Sequence, residues 1–168
     1  LQIRPIVEQQ DARSLDWDSV RTSDALIYAE SALGLGAIEG VTDVVYVRSG
    51  TFDTSRTQRI ASEIGELNNR LRSEKRPYVL VGPGRWGSSD PWLGIPVKWP
   101  SISEAKVIVE CGLENFRVEP SQGTHFFQNL TSFGVGYLTI NPFMGDGRFD
   151  EGRLDAMPAV YESESVRH

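Results

Sequence analysis

Cysteine and histidine are scarce in this chain of 168 residues, which contains one cysteine, Cys111, and two histidines. A single cysteine excludes an internal disulfide and any cysteine-based zinc cluster, and with two histidines it disfavours a metal site built from His and Cys. No stretch approaches the roughly 20 apolar residues that a membrane-spanning helix needs, and no charged-then-apolar leader opens the chain. We therefore expect a cytoplasmic protein with no membrane partner and no metal site.

Positive charge is also in short supply, because 17 Lys and Arg face 23 Asp and Glu, giving a net charge of −6. Without a run of basic residues to neutralise phosphates, we expect no nucleic-acid partner. Hydrophobic residues make up 39% of the chain and charged residues 24%, a composition that builds a core. The chain opens on an apolar, strand-like run with Leu1 rather than Met, so we expect it to be a fragment of a longer protein.

The middle of the sequence alternates apolar runs with one long amphipathic segment. Within residues 53–75, four apolar residues recur at helical spacing, and these are Ile60, Ile64, Leu67 and Leu71. Strands are predicted at 41–48, 78–81, 105–110, 115–119 and 135–141, and a short helix within 121–132. A strand, a helix and a strand in succession favour a right-handed crossover between parallel strands.

These patterns predict an α/β fold: a single domain with a mixed sheet and few helices. We assign residues 24–145 to this domain. Residues 1–23 are interpreted as the end of an upstream domain and a linker, and residues 146–168 as an acidic C-terminal tail or short helix, with the helix around 151–157.

A glycine-rich loop at 82–90 (GPGRWGSSD) follows the strand predicted at 78–81, where α/β proteins place ligand loops. Glycines let backbone N–H groups approach an anion, and an arginine adds a bidentate clamp. The candidate phosphate- or nucleotide-binding residues of this loop are Gly82, Gly84, Arg85, Ser88 and Ser89. The alternative is a rigid surface loop whose glycines serve only its turns.

Three tryptophans lie in and beyond this loop, at positions 86, 92 and 99. Their indole faces are suited to stacking on a base or sugar, or to anchoring a partner. The alternative is that they pack the loop onto the sheet, where burial is available to large aromatic side chains.

His125 is the histidine away from the chain end, within the run SQGTHFFQN at 121–129. If Ser121 or Thr124 caps a helix there, the backbone N–H groups of its first turn favour an anion beside the imidazole. The imidazole would then be placed to accept a phosphoryl group as a nucleophile. The alternative is a structural histidine at a helix start, with Phe126 and Phe127 in the core.

Three stretches of the sequence resemble one family of phosphotransferases. Residues 1–5 (LQIRP) resemble the strand that closes the ATP-grasp nucleotide domain of pyruvate phosphate dikinase and phosphoenolpyruvate synthase. Residues 78–99 (YVLVGPGRWGSSDPWLGIPVKW) and 120–141 (PSQGTHFFQNLTSFGVGYLTIN) resemble the C-terminal region of bacterial dikinase-like or synthase-like proteins. This similarity runs over residues 31–141, most of the chain.

The resemblance implies roles for particular residues. Gln2 and Arg4 match the polar residues of the closing strand, which face the ATP phosphates in that family. The next domain of those enzymes is a swivelling β/β/α domain, whose phosphocarrier histidine lies in a Gly-Gly-x-Thr-Ser-His motif. By this match His125 is the catalytic candidate and Thr124 a phosphate-binding one, although this chain lacks the second glycine and the serine of the motif.

The resemblance also implies a function: a module of a dikinase-like phosphotransferase that transfers phosphoryl groups from ATP in the manner of pyruvate and phosphoenolpyruvate chemistry. The full-length protein would then need ATP and Mg²⁺, with neither bound by this fragment alone, which we expect to be inactive. Its partners would be the upstream ATP-grasp domain and a small-molecule acceptor. The alternative is a non-catalytic ligand- or partner-binding module attached to the ATP-grasp domain.

Overall fold

The structure, a computed structural model, describes residues 21–33, 37–90, 92–114, 118–119, 130 and 133–168. These residues form one α/β domain around a six-stranded mixed sheet, as the sequence predicts. In spatial order the strands are β10 (Val166–Arg167), β3 (Asp43–Val47), β4 (Tyr78–Pro83), β7 (Ala105–Cys111), β8 (Gly136–Ile140) and β2 (Ser31–Leu33).

The remaining elements cover the two faces of this sheet. The helices in the described residues are α1 (Thr57–Glu74) and α2 (Glu151–Asp155). Two short ribbons pair β1 (Ile27–Tyr28) with β9 (Arg148–Phe149) and β5 (Arg85–Trp86) with β6 (Gly94–Ile95). Single 3₁₀ turns occur at Thr22–Asp24, Ser49–Thr51, Thr54–Arg56, Trp99–Ile102 and Pro142–Met144.

The four central strands β3, β4, β7 and β8 run parallel, while the edge strands β10 and β2 are antiparallel to their neighbours. The helix α1 connects β3 to β4, so the predicted crossover between parallel strands is present. Because the central strands share a direction, their carboxyl ends meet at one edge of the sheet, the position at which open α/β sheets bind ligands.

One face of the sheet is covered by α1. All four apolar residues that predict this helix are at most 5% exposed, and they pack against inward-facing strand residues such as Val45, Leu80 and Ile108. The next residue along each strand points to the opposite face. There Tyr46, Val81 and Val109 pack with residues of α2 and β9. The sheet is therefore buried on both sides, which explains why its strands are almost continuously apolar.

The start of α1 is fixed by a capping contact. The carboxylate of Asp53 accepts a hydrogen bond from the backbone N–H of Ser55 at 2.8 Å. The first turn after it, Thr54–Arg56, is 3₁₀, and the α-helix proper begins at Thr57. The cap thus satisfies a backbone donor that has no partner inside the helix.

The C-terminal segment differs from the expected acidic tail. The predicted short helix is present as α2, but the segment also supplies β9 and the edge strand β10 of the main sheet. Val166 is fully buried in the core, and the guanidinium of Arg167 donates to the carbonyl oxygen of Leu154 at 2.7 Å. Residues 146–168 are therefore part of the folded domain, held by a few buried side chains within a polar sequence.

Several predicted elements lie outside the described residues. They are the strand at 1–7, the helix within 121–132 apart from Leu130, and most of the strand at 115–119.

Asp43, the first residue of β3, contacts two basic side chains, those of Arg76 and His168. Its carboxylate is bonded to Arg76 and lies 2.8 Å from the Nε2 atom of His168. Burial opposes ionisation of this carboxyl, but the hydrogen bonds with His168 and Arg76 outweigh it, and the pKa of Asp43 is lowered from its usual value. A lowered folded-state pKa adds stability above the unfolded-state pKa, and this stability is lost as the pH falls through the folded value.

We therefore predict that the free energy of unfolding decreases as the pH falls below about 4 and that Asp43→Asn flattens this dependence. At neutral pH the variant should lose about 1–3 kcal/mol of unfolding free energy, because Arg76 and His168 lose their charged acceptor. Urea unfolding followed by circular dichroism at several pH values measures both effects. Asp24→Asn is the control, since its ion pair with Arg21 is exposed and should contribute less than about 1 kcal/mol. Equal pH profiles for wild type and Asp43→Asn would contradict the prediction.

Candidate functional site

A cavity of about 180 Å³ opens at the carboxyl ends of the parallel strands, on the face opposite α1. We call it the edge cavity. Its walls are mainly apolar and include Val81, Pro83, Leu113, Phe143 and Phe149. The polar side chains among its lining residues are Ser49 and Glu151. An apolar concavity with a few convergent polar groups, at this edge of an α/β sheet, is the usual form of a ligand site.

The polar groups of the edge cavity are fixed by hydrogen bonds to each other. Ser49 begins the 3₁₀ turn after β3, and Glu151 is the first residue of α2. The backbone N–H of Ser49 donates to one carboxylate oxygen of Glu151 at 3.0 Å, and its hydroxyl donates to the other at 2.5 Å. The carboxylate is therefore held in one position by two neutral donors.

A second, more polar concavity of about 330 Å³ adjoins the edge cavity. We call it the polar recess. Its lining includes Arg48, Thr51 and Asp155, and it shares Ser49 and Glu151 with the edge cavity. The two spaces therefore adjoin at these two residues.

Cys111 ends β7 and lines the edge cavity. Burial raises the pKa of its thiol to about 12, and the nearby charge of Glu151 adds to this effect. Since the thiolate is the nucleophilic form of cysteine, this thiol is neutral at physiological pH and contributes to the cavity as a small apolar wall.

The predicted phosphate loop uses its backbone donors within the protein. The N–H groups of Gly84, Arg85 and Gly87 donate to carbonyl oxygens of Cys111, Leu93 and Ile95 at 3.0, 2.8 and 2.8 Å. The N–H of Trp86 donates to the carboxylate of Glu110 at 3.0 Å. An anion at this loop would therefore have to be bound by side chains rather than by the backbone of residues 84–87.

The glycines of the loop permit close packing. A Cβ atom on Gly82 would lie 2.3 Å from the indole of Trp86, and one on Gly84 would lie 2.7 Å from the carbonyl oxygen of Leu93. Gly84 also has a φ of 70°, which favours glycine. These contacts show that close packing within the protein requires both glycines, and of the five candidate residues of the loop Gly82 is the one that lines the edge cavity.

The side chains of the loop differ in their surroundings. Within the described residues the guanidinium of Arg85 has no hydrogen-bonded or ion-paired partner, and it is half-buried. The hydroxyl of Ser88 donates to the carbonyl oxygen of Asp90 and accepts from its N–H, while Ser89 is exposed. A phosphate contact by Arg85, Ser88 and Ser89 remains a prediction.

The three tryptophans differ in burial. Trp86 is 2% exposed and packs the β5–β6 ribbon onto the sheet, and Trp99 stacks on Phe133 with ring centroids 5.3 Å apart. Trp92 is 74% exposed at the tip of the loop between β5 and β6.

Sequence reasoning missed Glu110, a carboxylate that is completely buried in the central strand β7. It accepts hydrogen bonds from the backbone N–H of Trp86 and from the hydroxyl of Tyr137. The indole N–H of Trp86 donates to the neighbouring carbonyl of Val109 at 3.0 Å. The signal in the sequence was a charged residue inside an apolar strand, which places a charge where water is excluded.

The other predicted site residues lie outside the described part of the chain. They are Gln2, Arg4, Thr124 and His125, so their roles remain predictions. Among the described residues, no group of three or more His, Cys, Asp or Glu side chains is arranged to hold a metal ion. No helix of that described part is long and apolar enough to cross a membrane.

Comparison with known proteins identifies no relative, because no family model, no curated protein and no solved structure matches this chain.

We predict that Gly82→Ala destabilises the fold, because its Cβ would overlap the buried indole of Trp86. Overpacking of this kind costs about 1–3 kcal/mol. Thermal unfolding of the purified variant measures the loss. The matched control is Gly50→Ala, since no atom lies within 4 Å of a Cβ built there. Unchanged stability of Gly82→Ala would show that packing does not require this glycine and would favour the anion-binding interpretation.

Proposed function

We propose that this domain is a ligand-binding module, attached to the ATP-grasp domain of a dikinase-like phosphotransferase, and that its ligand binds in the edge cavity. The observation that carries the proposal is the position and lining of this cavity, at the carboxyl ends of four parallel strands. Its volume of about 180 Å³ exceeds the roughly 150 Å³ of an apolar protein cavity that binds benzene. The cavity is thus large enough for a single-ring molecule.

The chemistry of the described residues favours binding over group transfer. The thiol of Cys111 is held neutral by burial, and the carboxylate of Glu110 is committed to Trp86 and Tyr137. The backbone donors of residues 84–87 are also occupied within the protein. ATP and Mg²⁺ therefore belong, in this proposal, to the upstream ATP-grasp domain, and the edge cavity serves a small molecule that acts as acceptor or effector.

Benzyl alcohol is a suitable first probe because it combines one ring with one neutral hydroxyl. We predict a dissociation constant on the order of 1 mM, equivalent to about −4 kcal/mol. Amide chemical shifts in a ¹H–¹⁵N titration should move at Ser49, Gly82 and Gly112, which line the edge cavity. Absence of saturable shifts at these residues would refute the proposal.

Two phenylalanine variants localise the probe. Phe143 lines the edge cavity and is 64% exposed, so Phe143→Ala should weaken binding without unfolding the protein. Phe133 is 59% exposed and is not among the lining residues, which makes Phe133→Ala the matched control. Equal weakening by both variants would place the probe elsewhere.

A phosphohistidine carrier at His125 is the second candidate, and the run Gly123-Thr124-His125 supports it through the dikinase resemblance. We predict that His125→Ala in the full-length protein abolishes phosphoryl transfer while ATP binding survives, because the nucleotide contacts belong to another domain. Transfer of acid-labile phosphate from labelled ATP and the melting temperature are measured on the same preparation. Retained transfer together with a loss of roughly 1–3 kcal/mol of stability, as expected from a broken buried hydrogen bond, would assign His125 a structural role.

A further inference from the structure

The edge cavity and the polar recess have lining residues in common, and we call the two spaces together the cleft and each space one half of it. Ser49 and Glu151 line both halves. The first half is walled by rings and aliphatic groups, among them Phe143 and Phe149. The second half is lined mainly by polar residues and backbone. A ligand that fills the first half therefore lies beside Glu151, one of its lining residues.

The other charged side chains of the polar recess are neutralised by neighbours. The guanidinium of Arg48 lies 2.9 Å from the carboxylate of Glu162. The carboxylate of Asp155 lies 3.2 Å from the guanidinium of Arg167 and accepts from the hydroxyl of Tyr46. These ion pairs neutralise the charges that Arg48 and Asp155 bring to the cleft.

Glu151 is different, because its partners among the described residues are the two neutral donors of Ser49. Each carboxylate oxygen carries more than one acceptor position, so both oxygens keep capacity for a further donor. The charge of Glu151 is also felt inside the edge cavity, where it contributes to the raised pKa of the Cys111 thiol. The uncompensated charge of the cleft is therefore negative and lies at the junction of its two halves.

We propose that the cleft binds a small cationic amine with a flat apolar body. The body occupies the edge cavity between Phe143 and Phe149, and the ammonium group donates to the carboxylate of Glu151. This assignment rests on the proposed ligand-binding function and specifies the class of ligand. A carboxylate or phosphate on the same body would face Glu151 with like charge, which disfavours binding.

Three probes with the same benzyl body test the proposal: benzylamine, benzyl alcohol and phenylacetate. Because a charge-assisted hydrogen bond is stronger than a neutral one, benzylamine should bind about tenfold more tightly than benzyl alcohol, and phenylacetate should bind more weakly than either. The advantage of benzylamine should shrink at 1 M salt, where charges are screened within about 3 Å. The same chemical shifts of Ser49, Gly82 and Gly112 report all three titrations.

Glu151→Gln removes the charge and keeps an acceptor for Ser49. In this variant benzylamine should lose its advantage, while benzyl alcohol should bind within about twofold of wild type because a neutral contact contributes little. Glu74→Gln is the matched control, because Glu74 ends α1 and is paired with Arg70 and Arg76. It removes the same charge far along the chain from the cleft, and the preference for benzylamine should persist.

The outcomes separate this inference from the proposed function. If phenylacetate binds in the cleft as tightly as benzylamine, the inference is overturned and the ligand site stands. If benzyl alcohol leaves the cavity resonances of the wild-type protein unchanged, the proposed function and this inference both fail. The comparison of probes on the wild-type protein decides the inference even if Glu151→Gln does not fold.

Discussion

The buried carboxylate of Glu110 is the interaction on which the arrangement of the candidate site depends. A carboxyl group with no exposed surface is unfavourable unless hydrogen bonds within the protein replace those it would make with water. Two of those bonds come from the backbone of Trp86 in β5 and the hydroxyl of Tyr137 in β8, while Glu110 itself lies in β7. One side chain thus joins three strands, and it requires the loop after β4 to fold back onto the sheet.

The bond between Trp86 and Glu110 determines the position of the glycine-rich loop. With the backbone N–H of Trp86 bonded to Glu110, the indole of Trp86 packs on Gly82 and donates to the carbonyl of Val109. The neighbouring N–H groups then pair within the β5–β6 ribbon or with the end of β7. The backbone of residues 84–87 therefore forms part of a ribbon on the α1 face, and the open space at the carboxyl edge lies on the opposite face.

The sequence predicted the parts of the fold that local periodicity determines. The buried face of α1 followed from apolar residues at helical spacing. The central strands followed from continuous apolar runs, because each of these strands is buried on both sides. The edge strand β10 was missed since its burial rests on Val166 and Arg167 within a polar segment. The contact between Ser49 and Glu151 joins residues 102 positions apart, and no local pattern encodes such a pair.

The glycines show a second limit of prediction from sequence. A glycine is required wherever another group approaches the backbone closely, and the sequence does not identify that group. At Gly82 the group that a Cβ would meet is the indole of Trp86 in the same chain. A sequence pattern identifies the need for a missing Cβ but not its cause. Only the position of Trp86, four residues later, distinguishes the two explanations.

The two faces of the sheet differ in charge near its carboxyl edge, and this difference bears on phosphoryl chemistry. On the face opposite α1, Glu151 carries a charge with no cationic partner among the described residues. A phosphate placed about 4 Å away would be disfavoured by about 4 kcal/mol at an effective dielectric constant of 20. Arg85 lies on the ribbon that packs on the α1 face, and its guanidinium has no ion-pair partner in the described part of the chain. If the domain serves a phosphotransferase, physical chemistry therefore favours the Arg85 side for a phosphoryl group and the Glu151 side for a cationic ligand.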